Sequence, residues 1–515
     1  MKTFLPLLFS ALTPAYAATC DSLGSLALPD TKVTLAQPVA PGDFAPPGGR
    51  AGGPSNAGLF KNLPAFCRVA ATLKPTSDSD IKIEVWLPAA AWNGKFQAVG
   101  NGGWAGVISY SAMAQALEHG YATASTDTGH VGPSGSFVVG HPEKLIDFGY
   151  RSEHEMTVKA KDIIQAFYGD APKVSYWNGC STGGRQGLKE AQRFPDDYDA
   201  IIAGAPANPR TRLAFATLWI AQAAHKDEAS NIPAAKYPMI HQAVLNACDA
   251  LDGLKDGLLT DPTLCHFDPQ VLACKDADGP SCLTAPQIET VRKILSPPKN
   301  PRTGEEIYPT LEPGTELGWA TLAGPQPFQA TVDHFKYVVF KDPDWDWKTL
   351  NFDSDVALAD KIDNETINAT DPNLRPFFSH KGKLLLYHGF SDQNVPPRST
   401  INYYKRVVDT VGGAGLGGAG LRPADSIRLF MVPGMGHCGG GEGPNTFDML
   451  SAVEQWKEQG KKPARIVASH RTAGKVDRTR PLCAYPQVAK YKGAGSIDDE
   501  ANFTCELPSS SAITR

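Results

Sequence analysis

The stretch Tyr176-Trp177-Asn178-Gly179-Cys180-Ser181-Thr182-Gly183-Gly184-Arg185 constrains what this chain can fold into more than any other. Before it, Lys173-Val174-Ser175-Tyr176-Trp177 reads as a short buried strand; after it, residues 185–194 have helical spacing, with Leu188, Ala191 and Phe194 on one face. Between them lies Gly179-x-Ser181-x-Gly183. A serine at a sharp strand-to-helix turn carries its hydroxyl above the sheet, and glycines on either side remove side chains that would block the turn. The helix start also offers backbone N–H groups and a positive dipole end to a developing oxyanion. The alternative is an ordinary Gly-rich turn, since this pentapeptide alone is a weak motif.

The flanking sequence has the rhythm such a turn requires. Ile81 to Leu87 alternates apolar and polar residues and predicts a half-buried strand, and Phe96-Gln97-Ala98-Val99 predicts another. The latter leads into Gly100-Asn101-Gly102-Gly103-Trp104, which reads either as a plain turn or as a loop bringing a backbone N–H toward the serine. Further strands are expected at Tyr121–Thr126 and Tyr198–Pro206, with a helix over Ser152–Phe167. Strands alternating with helices imply a parallel sheet covered on both faces. From 207 to 379 the rhythm is lost: helical stretches at Leu213–Lys226 and Ala234–Cys248 give way to loops rich in Pro, Asp and Trp, which reads as an inserted cap. It resumes at Lys383–Gly389 and Arg428–Val432, then a helix over Asn445–Gly460 and a loop-rich tail bracketed by Cys483 and Cys505. Pro38–Pro54 and Gly412–Gly420 read as irregular chain. The expected organisation is therefore a signal segment at 1–17, an α/β core at 18–206 and 380–515, and a cap at 207–379.

The 515 residues exceed one hydrophobic core, consistent with that division. Apolar residues make up 42% and charged residues 20%, the balance of a soluble globular protein, and a net charge of −5 with scattered signs leaves no basic face for nucleic acid. No run of about eighteen apolar residues could span a membrane. Met1–Ala17 carries Lys2, the apolar run Phe4 to Phe9 and Ala15-Tyr16-Ala17, the pattern of a secretory signal peptide, so export (extracellular, or periplasmic in a Gram-negative bacterium) is expected. An even count of ten cysteines in an exported chain reads as a disulfide framework. The sequons at Asn364, Asn368 and Asn502 would carry glycans only in a eukaryotic host.

A nucleophilic serine needs a base, and the base an orienting carboxylate. When the serine sits on a strand–turn–helix these follow in the order acid, then histidine, each just beyond a strand. Asp392 follows the 383–389 strand and His437 the 428–432 strand, so both fall where that order wants them. His388 is the competing base, but it precedes the acid and would reverse the order. Cys180 adjoins the serine and Cys438 adjoins His437, so if Ser181 and His437 meet, the two sulfurs meet as well. They are then either a disulfide joining the two turns or two buried thiols.

Gly-Cys-Ser-Thr-Gly-Gly-Arg-Gln at 179–186, Gly-Phe-Ser-Asp at 389–392 and Val-Pro-Gly-Met-Gly-His-Cys at 432–438 together resemble the tannase and feruloyl esterase family, from about Cys20 to Cys505. The resemblance implies an α/β-hydrolase fold with an inserted cap, a secreted carboxylic ester hydrolase, and the triad Ser181, Asp392 and His437. It also implies the pairs Cys180–Cys438, Cys248–Cys265 and Cys274–Cys282, with Cys20–Cys67 and Cys483–Cys505 as the rest, and an oxyanion hole from the N–H groups of Thr182 and Gly103. In the cap, Cys248 to Leu258 places three carboxylates around two glycines, able on residue type alone to be either a metal loop or an Asp-Gly turn cluster. The resemblance implies structural calcium there, on Asp249, Asp252 and Asp256 with the carbonyls of Leu254 and Leu258, and no organic cofactor. The implied substrate is a feruloyl or related hydroxycinnamoyl ester of plant cell-wall material. Thr182 matches the feruloyl esterase members, whereas terephthalate-monoester hydrolases of the family carry an acidic residue there. The rivals are galloyl esters, a terephthalate monoester, a peptidase on the same fold, and an inactive carbohydrate-binding relative. Trp219, Trp319, Phe328, Phe335, Tyr337, Trp345 and Trp347 supply the cap with aromatics suited to a planar acid or to the cap's own core.

Overall fold

A computed structural model describes residues 18–47, 58–413 and 422–508. The signal segment 1–17 and most of the stretches read as irregular around 38–54 and 412–420 lie outside the described residues. Nine strands form one sheet: β1 Thr31–Val39, β2 Phe66–Leu73, β3 Ile81–Pro88, β4 Lys95–Val99, β5 Ala122–Thr126, β6 Val174–Cys180, β7 Ala200–Gly204, β8 Lys383–Gly389 and β9 Ile427–Val432. Their order is β1-β2-β3-β5-β4-β6-β7-β8-β9.

The six strands from β5 to β9 are parallel, as the alternation with helices requires, because a parallel neighbour needs a covering crossover. The first part of the sheet corrects the expectation of a purely parallel one. β1, β2 and β3 pair antiparallel in sequence, and β3 pairs antiparallel with β5. The link between β2 and β3, residues 74–80, is too short for a helical crossover, so only an antiparallel return is open to it. β1 also extends to Val39, into the stretch read as irregular.

β3 corrects a second expectation: its polar alternation does not mark a solvent face, and all but Lys82 is buried. Glu84 stays inside because Arg68 donates to both its carboxylate oxygens while Trp86 Nε1 and Tyr110 Oη donate as well. On the sheet's faces, helix Ser152–Tyr168 buries Met156, Ala160, Ile163, Ile164 and Phe167 in one core, and helix Met449–Gln459 buries Met449, Val453 and Trp456 in another. Asp448 caps the latter by accepting from Ser451 N, which starts it later than the spacing suggested.

Between β7 and β8 the chain adds no strand to the sheet. The 207–379 segment contains helices Arg210–Ala224, Tyr237–Cys248, Ala285–Ile294 and Ser354–Asp363, and it carries cores of its own, one around Ile220, Ile240, Val291 and Trp319, another around Phe215, Phe335 and Ala359. The tail is not loop-rich: β10 Arg465–Thr472 pairs with β11 Lys475–Cys483, and β12 Val488–Tyr491 with β13 Phe503–Glu506. These ribbons turn about half their side chains to water, and that polarity hides them from a pattern search.

Five disulfides pair all ten cysteines as the family resemblance implied. Cys20–Cys67, Cys248–Cys265, Cys274–Cys282 and Cys483–Cys505 close short loops, while Cys180–Cys438 joins residues 258 positions apart. No helix among the described residues is long and apolar enough to cross a membrane.

Candidate active site

Ser181 sits between β6 and helix Thr182–Arg193 with φ 62° and ψ −121°, a conformation that L-residues with a side chain seldom adopt. The turn closes only because its neighbours are glycine: a Cβ on Gly179 would lie 2.5 Å from the carbonyl carbon and oxygen of Gly183. The surroundings hold it. Ser181 N donates to Gly204 O at 2.9 Å, Ala207 N donates to Ser181 O at 3.1 Å, and Trp177 Nε1 donates to Gly183 O at 2.9 Å. One turn along the helix, buried Arg185 donates to the carbonyls of Phe148, Gly149 and Ile367, tying the helix to the end of the insertion.

Asp392, three residues beyond β8, is wholly buried. Its Oδ1 accepts the N–H groups of Asn394 and Val395 at 2.8 and 2.9 Å, and its Oδ2 lies 2.7 Å from His437 Nδ1 and 3.0 Å from His388 Nε2. Burial alone would raise this carboxyl; the charge of His437 and the bonds from both imidazoles outweigh it and hold the group well below the ordinary aspartate value. It is therefore a carboxylate at any working pH. His388 is fully buried, bonded also to Thr400 Oγ1 at 2.7 Å, and faces the acid from behind. It does not border the cavity that Ser181 and His437 share.

That cavity, about 380 Å³, is bounded on the core side by Gly102, Gly103, Cys180, Ser181, Asn394, Val395, His437 and Cys438. The Cys180–Cys438 disulfide, with Cα atoms 6.0 Å apart, joins the serine turn to the histidine loop. Gly103 has φ +57° and its carbonyl accepts from Thr182 Oγ1 at 3.0 Å, so the residue after the serine anchors the Gly-rich loop directly. Asn101 N donates to Gln186 Oε1 at 3.0 Å, a second tie between this loop and the same helix.

The remaining wall comes from the insertion: Arg210, Leu213, Ala214, Thr217, Phe328, Ala330, Thr331 and His334. Of the seven cap aromatics singled out in the sequence only Phe328 reaches the cavity; Trp319 and Phe335 are buried in the insertion's own cores. Sequence reasoning missed Arg210, His334 and Asn394, which carry no local motif and meet only through the fold.

In the acidic loop, Asp249 accepts from Asp256 N and Gly257 N, Asp252 from Leu254 N and Thr260 Oγ1, and Asp256 from Leu258 N. Gly253 and Gly257, at φ 89° and 78°, fold the chain back on itself. Arg480 pairs with Asp256 at 2.5 Å. Among the described residues the one group of three ligand-type side chains within 4.8 Å of one another is Cys274, Asp278 and Cys282, and its two sulfurs are already joined. The acidic loop offers only hard oxygen donors, a set that suits a hard divalent cation, and its three carboxylates stand further apart than that. Of the sequons, Asn364 is exposed, whereas Asn368 Nδ2 donates to Thr211 Oγ1 and Asn502 Nδ2 to Ser496 O.

A largely parallel sheet carrying a serine at a strained strand–helix turn after β6, with a buried carboxylate after β8 and its imidazole after β9, defines an α/β-hydrolase. Residues 67–506 match the family described as tannase and feruloyl esterase. An uncharacterized esterase of Xanthomonas campestris pv. campestris is 41% identical over 537 residues, covering 96% of this chain and 92% of that protein. A probable feruloyl esterase B-2 of Aspergillus terreus is 35% identical, covering 95% of each. The crystal structure of feruloyl esterase B from Aspergillus oryzae superposes with a TM-score of 0.86 at 32% identity, over 95% of this chain and 99% of that one. The chain belongs to the tannase and feruloyl esterase family and is a carboxylic ester hydrolase.

One contact fastens the insertion to the histidine loop. His241, on helix Tyr237–Cys248, lies 2.8 Å through Nδ1 from buried Glu316. Its Nε2 is 2.8 Å from Glu442, five residues after His437, as an ion pair without hydrogen-bond alignment. Burial pulls the imidazole down, but the two carboxylates outweigh it and raise it to about 9. A folded-state value above the unfolded one means that this stabilisation is complete below about pH 6.5 and is lost as pH rises through about 9. We expect the melting temperature of wild type to fall between pH 7 and pH 10 by more than that of His241→Gln; equal falls would show that the contact is not titrating.

Proposed function

We propose that this protein hydrolyses feruloyl and related hydroxycinnamoyl esters through an acyl-enzyme formed on Ser181. The observation that carries the reading is the shared cavity of Ser181 and His437, with His437 held by buried Asp392 and the two turns joined by Cys180–Cys438. In this reading His437 removes the proton from Ser181 as Oγ attacks the ester carbonyl, and Asp392 fixes the imidazole's orientation and stabilises its cation. The N–H groups of Thr182 and Gly103 receive the oxyanion. His437 returns the proton to the departing alcohol, leaving the acyl group on Ser181, and then activates the water that releases the acid. No organic cofactor enters.

The relatives named as probable feruloyl esterases support a hydroxycinnamoyl acid, and Thr182 after the nucleophile supports it over a terephthalate monoester. Five disulfides and the Met1–Ala17 pattern support a secreted enzyme acting on plant cell-wall material. Calcium is proposed as a structural ion, held by Asp249, Asp252 and Asp256 with the carbonyls of Leu254 and Leu258. These residues do not border the cavity of Ser181, so the ion would act on stability rather than on the chemistry.

Ser181→Ala and His437→Ala should each lower kcat by roughly 10⁴-fold or more; near-wild-type turnover by either variant would remove that residue from the mechanism. Across methyl ferulate, methyl caffeate, methyl gallate and a terephthalate monoester, the highest kcat/KM is expected on a hydroxycinnamate, and a tenfold advantage for methyl gallate would make the protein a tannase instead. An ion bound only by the folded state at a hundred times its Kd adds about 2.7 kcal/mol. Chelation should accordingly lower the melting temperature, and an unchanged melt with no calcium by elemental analysis would leave the acidic loop as a turn.

A further inference from the structure

The cavity wall supplied by the insertion contains one cation, Arg210, and its surroundings are unusual for a guanidinium. Arg210 is the first residue of helix Arg210–Ala224 and rests over the ring of Trp104, its Cζ 4.4 Å from the centroid. Among the described residues no carboxylate lies within ion-pair range of it and no oxygen accepts a hydrogen bond from it. The nearest acid, Asp333, is spoken for: Oδ2 accepts from Ser134 Oγ and Gly135 N, each at 2.8 Å, and Oδ1 from Gln329 Nε2 at 2.6 Å.

The face of Trp104 and the distant charge of Asp333 compensate the cation only in part. Burial and the proximity of Arg185 push the guanidinium down to about 9, so it remains a cation at neutral pH, though a poorly accommodated one. His334, also stacked on Trp104, is held neutral by burial and by Arg210 itself, at about 3, and both its ring nitrogens lack partners. Arg210 is half-buried, and a guanidinium that borders a cavity without a protein acceptor is best satisfied by an oxygen anion or another strong oxygen acceptor. The described residues provide none, and Arg210 borders the same cavity as Ser181.

We infer that Arg210 is the residue that reads the acyl group, accepting acids that carry an oxygen substituent, a phenolic hydroxyl or a carboxylate, on the aromatic ring remote from the ester. The inference rests on the reading of Ser181 as the nucleophile of an aromatic ester hydrolase. It adds the physical reason for acid selectivity: an acid that lacks the oxygen would displace water from the cation and leave it unpaired, and a site built on such a bond discriminates far better than an apolar slot. The proximity of neutral His334 adds a nitrogen that a hydroxyl could donate to and a carboxylate could not.

The test uses two pairs of methyl esters that differ only in that oxygen: 4-hydroxycinnamate against cinnamate, and terephthalate monoester against benzoate. The quantity read is the ratio of kcat/KM within each pair, which a general loss of activity leaves untouched, for wild type, Arg210→Met and Arg210→Lys. Wild type should favour the oxygenated member of at least one pair. Arg210→Met should reduce that preference by roughly 10- to 100-fold, and Arg210→Lys should keep part of it. Which pair responds identifies the substituent as hydroxyl or carboxylate. Calorimetric titration of the same esters into Ser181→Ala, with and without Arg210→Met, reads the ratio without turnover. If wild type cleaves none of these esters the proposed activity fails, while the binding ratio still decides the role of Arg210. Ratios equal in wild type and Arg210→Met, or the absence of any wild-type preference, would overturn the assignment.

Discussion

The backbone at Ser181 is the constraint on which the site depends. A non-glycine residue at φ 62° stores local strain, and the turn survives because its partners over-determine it: Gly204 O, Ala207 N and the indole of Trp177 all bond to it or to the adjacent glycine. Those partners belong to β6, to β7 and to the chain leaving β7, so the serine's geometry is set by the sheet rather than by its own loop. Gly179 is needed because the strand and helix ends approach within a distance that one methyl group would fill, and Gly183 because the backbone of Gly100 and Asn101 lies against it.

From that turn the rest of the machinery is fastened in two ways. Covalently, Cys180–Cys438 fixes the distance between two loops that are 258 residues apart in the chain. Electrostatically, Asp392 is satisfied on both oxygens, by two backbone N–H groups on one side and two imidazoles on the other, which is the condition for burying a carboxylate at tolerable cost. His388 lies behind the acid, bonded to Thr400, and completes the carboxylate's shell without bordering the cavity. Arg210 is the opposite case, a charge for which the described residues provide no ion-pair partner, and it stands in the wall of the cavity contributed by the insertion.

The insertion thus has two separate tasks. Its aromatic residues build cores around Trp319 and Phe335, and its link to the histidine loop runs through His241 and Glu442. Only a short set of side chains, at the start of helix Arg210–Ala224 and between Phe328 and His334, faces the serine. A cap rich in aromatic residues is therefore poor evidence about the acyl pocket, because large apolar side chains are spent first on stabilising the segment itself.

Much of the core was legible from residues 174–204 and 383–437, because strand, turn and helix there leave local signatures: apolar runs of fixed length, glycines at forced positions, and an acid and a histidine just past strand ends. The antiparallel strands β1 and β2 and the two tail ribbons were not, since a half-exposed strand differs little in composition from a loop. Nor did the alternation in β3 reveal that Glu84 would be enclosed by Arg68, Trp86 and Tyr110. The sequence by itself determined the fold class, the order of serine, acid and histidine, and, through the family resemblance, the pairing of ten cysteines. Tertiary structure alone decided that His388 completes the acid's shell from behind, which cap residues line the cavity, and that Arg210 borders it with no ion-pair partner among the described residues. The contacts around the cavity are between segments 30 to 250 residues apart, and no local pattern of side chains encodes a distance that only packing creates.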